Sequence, residues 1–202
     1  FEGDIFKLIV DIESNAVTTI VGAPTLFNLL LQDGIADRWN TKLLKNIIVA
    51  GSRFPYGLYQ SMSSYLRHAM VDNSYGPTEA TNLVSTKRLS WHEKEDIQDR
   101  NVSVGSAVPN MSLSILCDDG SITIRALVTG ELLISGVQLM DRYVSDPQRT
   151  AEFLFKQDGT TYYRSGDLAY FDEKKDCYIV GRVDDTVKIK SHRINLLDID
   201  SY

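Results

Sequence analysis

The stretch Asn73-Ser74-Tyr75-Gly76-Pro77-Thr78-Glu79 brings an aromatic ring, a glycine, a hydroxyl and a carboxylate close together in the chain. An aromatic face can stack on a flat base, and glycine lets backbone approach such a ligand closely. A threonine near a helix start sits among free N–H groups that favour anions. Glutamate is a hard oxygen ligand suited to Mg²⁺. Together these groups suit a magnesium nucleotide. The same residues also read as a turn plus a helix cap, with Thr78 as the cap and Glu79 favoured by the helix dipole. Spacing alone leaves both readings open.

Three further stretches could carry chemistry. Ala50-Gly51-Ser52-Arg53 follows an apolar strand, where parallel α/β sheets bind ligands. Tyr163-Arg164-Ser165-Gly166-Asp167 reads as a strand entering a tight turn, and its carboxylate could accept both hydroxyls of a ribose. An ordinary turn aspartate fits that position equally. In Gly181-Arg182-Val183-Asp184-Asp185-Thr186-Val187-Lys188, Arg182 and Lys188 are cations available to a phosphate, or simply solvated.

The elements around these stretches fall into two textures. Before about residue 100, helical patterns over Asp4 to Glu13, from Pro24 and from Pro55 alternate with short apolar strands at Val17 to Val21, Ile47 to Ala50 and Ala69 to Asn73. That alternation predicts parallel βαβ units covered on both faces. After it come short strands at Val102 to Ala107, Leu113 to Leu116, Ile122 to Ile124, Glu131 to Ser135, Tyr162 to Arg164, Leu168 to Phe171 and Tyr178 to Val180. Turn signals separate them, and one helix over Pro147 to Phe155 interrupts them. The fold class expected is α/β plus β, a flavodoxin-like parallel subdomain over 1–100 and a small antiparallel β-barrel subdomain over 101–182. Residues 183–202 follow as a separate segment. The seam falls in the polar stretch Trp91 to Asn101, whose charges read as a solvated face.

Composition excludes several classes. A net charge of −6 on 202 residues argues against a nucleic-acid or membrane-surface binder, either of which wants a positive patch. No apolar run nears the roughly 20 residues of a membrane helix. Cys117 and Cys177 stand far apart, with His68 and His92 before them and His192 after. Neither a disulfide scaffold nor a zinc site is expected, and the cytoplasm is the default compartment. A chain of this length should bury about 70% of its unfolded surface. It opens on Phe1 within a helical pattern and closes on an apolar/acidic alternation without a terminator, so it reads as a piece of a longer protein.

Taken in order, these stretches resemble the adenylate-forming superfamily of acyl-CoA synthetases, luciferases and peptide-synthetase adenylation domains. Asn73 to Ala80 is similar to the amino-acid-activating form of that family's nucleotide motif. Val104-Gly105 with Val108-Pro109-Asn110 resembles a second family stretch, and Gly130-Glu131-Leu132 with Gly136, Tyr143 to Pro147, Thr150 and Phe153 a third. Tyr163 to Asp167 and Gly181 to Asp184 resemble a fourth and a fifth.

The resemblance implies ATP and Mg²⁺ as cofactors and a carboxylic acid, an amino acid in this branch, as substrate. The acyl group would pass to a thiol, on CoA or on the phosphopantetheine of a carrier protein. It implies that Tyr75 stacks on adenine, with Gly51, Asn73, Ser74 and Gly76 around the base. Thr78 would contact the α-phosphate and Glu79 would hold the metal. Asp167 would bind the ribose hydroxyls, and Arg182 would reach ribose or phosphate. Lys188 would contact the nucleotide, and Asp184 would be the hinge. Val21, Ile48, Ala50, Ser74, Asn82 and Leu83 would line an acyl pocket for a modest side chain.

The resemblance also implies parts that this sequence does not contain: a phosphate loop and an amine-gripping aspartate upstream, and a mobile domain with its lysine downstream. Ser191, Asn195 and Leu197 depart from the family pattern near the hinge. The chain by itself is therefore expected not to turn over ATP. An acyl- or aryl-CoA ligase of the same family is the alternative within the class. A non-catalytic nucleotide-binding module, or a hydrolase using Glu79 or Asp167 as general acid or base, are the alternatives outside it.

Overall fold

The structure is a computed structural model that describes residues 4–92, 96–98, 100–183, 186–189 and 192–195. It divides into two compact units. One holds the described residues up to Asn73 together with Arg88–Val102, and the other holds Ser74–Lys87 and the described residues from Ser103 onward. The chain thus passes between units three times, and the stretch 91–101 expected to be the seam falls within the first unit.

In the first unit, helix α1 (Ile5–Ser14) begins where the Asp4 carboxylate accepts the Phe6 and Lys7 N–H groups at 3.0 and 3.1 Å, satisfying donors that a helix start otherwise leaves bare. Strand β1 (Thr19–Gly22) follows, and Pro24 opens α2 (Pro24–Leu30) from its first turn, where its missing N–H costs nothing. Strand β2 (Asn46–Val49), helix α3 (Tyr56–Tyr65) and strand β3 (Met70–Tyr75) complete the alternation. The strands pair in parallel, with Val21 opposite Ile48 and Ile48 opposite Asp72.

Alternate residues Ile47, Val49 and Val71 are fully buried against Ile9, Phe27, Leu30, Leu58 and Met62 from the helices. Each such side chain contributes roughly 1.5–3 kcal/mol by leaving water. The other face differs from the expectation of two covered faces. Val21 and Met70 are 65% and 46% exposed and Ile48 is half-buried, so among the described residues the helices cover one face only.

The polar seam also departs from a solvated face. Asp96 is fully buried and accepts the Ser90 N–H, the Ser90 hydroxyl, the Trp91 N–H and the Tyr59 hydroxyl at 2.9–3.2 Å. A carboxylate without water needs such donors, and the segment folds around it.

The second unit is built on a six-stranded antiparallel sheet that forms a half-barrel. Its strands are β4 (Met111–Leu116), β5 (Ile122–Thr123), β6 (Gly130–Gly136), β7 (Leu154–Gln157), β8 (Thr160–Phe171) and β9 (Cys177–Arg182). They run in the order β7-β8-β6-β4-β5, with β9 also on β8. Helix α4 (Pro147–Phe153) stops two residues before the sequence pattern does because Leu154 turns extended into β7.

The expected turn at Ser165-Gly166-Asp167 is not a turn. β8 runs unbroken through it and absorbs the extra residues as a bulge against β6. Gly166 takes φ +69°, its N–H donates to Glu131 at 3.1 Å, and the Ser165 hydroxyl donates to the Leu132 carbonyl at 2.7 Å. Likewise the expected strand Val102 to Ala107 divides into Asn101–Val102 and Ser106–Ala107. Gly105 between them has φ +74° and lies against the Thr86 backbone, where a Cβ would meet the carbonyl oxygen at 2.0 Å. The fold class is α/β plus β, as the pattern predicts. Among the described residues no helix is long and apolar enough to cross a membrane.

Candidate functional site

Strand β3 delivers Ser74 and Tyr75 into the second unit, where the chain reverses and returns as strand Ser85–Arg88. The Val84 N–H donates to the Tyr75 carbonyl at 2.8 Å, and the Ser74 and Thr86 hydroxyls share a hydrogen bond of 3.0 Å. The reversal is a single 3-10 turn at Thr78–Ala80, after which Thr81 and Asn82 take φ +56° and +77°. Gly76 is required by the turn itself, since a Cβ there would lie 2.0 Å from the Asn82 carbonyl oxygen. Thr78 does not cap a helix. Pro77 holds the cap position, so the threonine hydroxyl stands exposed and uncommitted to the fold's own N–H groups.

Asp167 comes to Tyr75 across 92 residues of sequence. The Tyr75 hydroxyl donates to Asp167 Oδ2 at 2.5 Å, while Arg182 Nη1 donates to Oδ1 at 2.8 Å and to the Ser165 carbonyl at 3.0 Å. The Asp167 N–H is fixed by the Ser165 hydroxyl at 3.1 Å. The bulge aims this carboxylate, which is only 7% exposed, and Arg182 pairs with it. Loss of water and then the Asp167 charge push the Tyr75 phenol well above its ordinary range. Burial and the same carboxylate push the Cys177 thiol up, which makes it a poor nucleophile.

Glu79 is held from another direction. The Tyr143 hydroxyl donates to its Oε1 at 2.8 Å, and the Met140 N–H donates to its carbonyl at 2.7 Å. One residue pair on, the Thr81 hydroxyl donates to the Gln138 carbonyl at 2.8 Å. Partial burial, then the Glu79 carboxylate, raise the Tyr143 pKa. Among the described residues no three His, Cys, Asp or Glu side chains gather around a common point for a metal. Glu79 therefore fits Mg²⁺ only in the way that ion prefers, through one carboxylate, waters and a ligand's phosphates.

The model of the AMP-binding enzyme family matches residues 3–144, a span that includes Tyr75, Thr78, Glu79 and Tyr143. The chain belongs to the AMP-binding enzyme family. It is 30% identical over 190 residues to the acyl-CoA ligase SID4 of Ajellomyces capsulatus, covering 94% of this chain and 32% of that protein. It is 30% identical over 182 residues to the D-alanine–D-alanyl carrier protein ligase of Lacticaseibacillus casei, covering 89% and 35%. Its fold superimposes with a TM-score of 0.83 on the Vibrio cholerae adenylation domain AlmE in complex with glycyl-adenosine-5'-phosphate, at 28% identity and over 96% of this chain and 36% of that one. The chain spans about a third of the length of these relatives.

In this AMP-binding chain, Ser74, Tyr75, Gly76, Thr78, Glu79, Asn82, Leu83, Asp167 and Arg182 all fall in the second unit. Val21, Ile48, Ala50, Gly51 and Asn73 fall in the first, where Val21 and Ile48 are register neighbours on the open sheet face and Asn73 is buried. Gly51 takes φ +94° with open space where a side chain would be, a turn that favours glycine whatever lies beyond it. Lys188 lies on strand Thr186–Ile189, and its side chain is outside the described residues, as is Asp184.

Sequence reasoning missed two supports of the site. Glu131 binds Arg164 through its Oε2 at 2.6 and 2.9 Å while its Oε1 holds the Gly166 N–H, so one buried carboxylate shapes the bulge under Asp167. Tyr143 reaches Glu79 over 64 residues. Both belong to recognisable sequence stretches, but only the pairing of strands brings them to their partners.

Proposed function

We propose that this chain is the central part of an ATP-dependent adenylating ligase that activates a carboxylic acid, in our reading an amino acid, as its acyl-adenylate. The hydrogen bond between Tyr75 and Asp167 carries the reading, because it puts a flat ring and an anchored carboxylate side by side. A purine nucleoside needs that combination: a face for the base and an acceptor for the ribose diol.

In this reading Tyr75 presents its ring to adenine, and Asp167 accepts the ribose hydroxyls while Arg182 pairs with it. Gly51, Asn73, Ser74 and Gly76 border the base. The exposed Thr78 hydroxyl donates to an α-phosphate oxygen, and Glu79 holds the magnesium that neutralises phosphate charge when bound. Lys188 adds a cation to the nucleotide, and Asp184 is the hinge. A substrate carboxylate oxygen bonds to the α-phosphorus of ATP as the bond to pyrophosphate breaks. A thiol sulfur then bonds to the acyl carbon, and AMP leaves. The protein's share is positioning and charge neutralisation. Val21, Ile48, Ala50, Ser74, Asn82 and Leu83 are small to medium and mostly apolar, which suits a modest side chain. The likeness to a D-alanine carrier-protein ligase and to a glycyl-adenylate complex favours an amino acid and a carrier-protein pantetheine. The likeness to SID4 keeps CoA as the second reading.

The test is calorimetric titration of the chain with AMP and with ATP plus Mg²⁺. We expect binding that Tyr75→Ala and Asp167→Ala each weaken by about tenfold or more, as loss of a stacking face or a charged acceptor should. Equal affinity in wild type and both variants would overturn the reading. An ATP-dependent hydroxamate assay on the complete gene product, with a panel of amino and aryl acids, separates the two substrate classes.

A further inference from the structure

The proposed reading gives no task to Tyr143, Pro147, Thr150 and Phe153, although their spacing is one of the recognisable features of the sequence. The structure connects all four to Glu79. Pro147 sits in the first turn of α4, capped by Asp146, whose carboxylate accepts the Arg149 N–H at 2.9 Å. The Thr150 hydroxyl donates to the Asp146 carbonyl at 2.8 Å and accepts the Tyr143 N–H at 3.1 Å, which ties the tyrosine backbone to the helix.

The ring of Tyr143 is fixed as well. The Phe153 ring meets it edge-on at 6.2 Å between centroids, and Phe153 in turn stacks on the buried Tyr163 at 6.3 Å. The Arg149 guanidinium lies over the Tyr143 ring, 4.7 Å from its centroid, a favourable cation–π placement. A ring clamped in this way holds its hydroxyl in one place, beside the Tyr163 hydroxyl and 2.8 Å from Glu79 Oε1, to which it donates. The Met140 N–H bond to the Glu79 carbonyl and the Thr81 hydroxyl bond to the Gln138 carbonyl hold the same turn in place, so the clamp and its target are registered to each other.

We infer that Tyr143 is a positioning residue for the metal-binding carboxylate: clamped by Thr150, Phe153 and Arg149, its hydroxyl fixes the rotamer of Glu79 and leaves that carboxylate directed at a Mg²⁺–nucleotide. This rests on the function proposed above. A glutamate has three rotatable bonds, and holding one oxygen removes most of that freedom before the ion arrives. A fixed ligand binds a small, geometry-demanding ion more tightly than a free one, and hydrogen bonds to a metal-ligating carboxylate tune affinity in the same way.

The experiment measures the Mg²⁺ concentration that half-saturates binding of α,β-methylene-ATP to the chain, beside the Mg²⁺-free affinity and the melting temperature. The variants are Tyr143→Phe, Phe153→Leu and Glu79→Gln. Tyr143→Phe keeps the ring and removes one oxygen. It should raise half-saturating Mg²⁺ by about tenfold, the effect expected of one hydrogen bond to a charged group, at unchanged Mg²⁺-free affinity. Phe153→Leu should lower the melting temperature and shift Mg²⁺ dependence less than Tyr143→Phe does. Glu79→Gln should abolish Mg²⁺ dependence. If Glu79→Gln does so while Tyr143→Phe leaves it unchanged, or if Phe153→Leu matches Tyr143→Phe, the positioning role is wrong and the nucleotide reading stands. If the wild-type chain binds no nucleotide, or Glu79→Gln binds like wild type, the function itself is misassigned.

Discussion

Gly76 lies in a motif that reads as a ligand cradle, yet its missing side chain is filled by the Asn82 carbonyl of its own turn. Gly76→Ala should therefore cost stability even without any ligand, by about 2–3 kcal/mol, the usual penalty for forcing atoms into a closed space. Urea denaturation of the chain measures this, and an unchanged midpoint would show that the turn yields. Thr78 illustrates the opposite case. Its type invites the cap reading, but the turn is too short and Pro77 takes the cap position, so the hydroxyl is left to the exterior. Residue type told which groups were present, and only the backbone path told which of them the fold had already engaged. Glu79 and Asp167 were legible as candidate ligands, whereas the donors that hold them, Tyr143 and Arg182, were not assigned to them in advance.

At the scale of elements, patterns repeating over several residues were read correctly and local punctuation was not. Helices α1, α2 and α3 and strands β1, β2 and β3 follow from apolar periodicity and from prolines at helix starts. The Ser165-Gly166 pair has the composition of a turn and folds as a bulge, because Glu131 and Leu132 on the neighbouring strand supply partners that no local sequence reveals. The stretch 91–101 misled for a similar reason. Its charges look solvated, but Asp96 gathers four donors in a site with no access to water. Asp96→Ala should lower unfolding free energy by about 3 kcal/mol, since it strands buried donors that a charged acceptor had satisfied. Tyr59→Phe should cost about 1 kcal/mol. Chemical denaturation of the two variants tests the ranking, and a smaller loss for Asp96→Ala than for Tyr59→Phe would contradict it.

Over the whole chain, several phenol and thiol groups are held protonated by burial and by nearby carboxylates: Tyr75, Tyr143, Tyr178 and Cys177 all titrate above their ordinary ranges. The unfolded chain releases these protons from about pH 8.5 for the cysteine to about pH 10 for the tyrosines, while the folded chain keeps them. Through that range the unfolded state binds fewer protons, so stability falls as pH rises. This contribution is fully present below about pH 7.5. Urea midpoints taken from pH 8 to 11 should decline steadily above about pH 9.5, and Tyr75→Phe should flatten part of the decline. A level or rising midpoint would contradict the burial of these groups. What the sequence determined by itself was the order of the elements, the α/β-then-β class and the residue types of the site, because hydrophobic period, proline position and short motifs act over neighbouring residues. The tertiary structure alone decided that Tyr75 meets Asp167, that Tyr143 meets Glu79, and that among the described residues the helices cover one sheet face of the first unit. Those contacts join groups tens of residues apart, and strand register, which is fixed by packing rather than by local preference, is what brings them together.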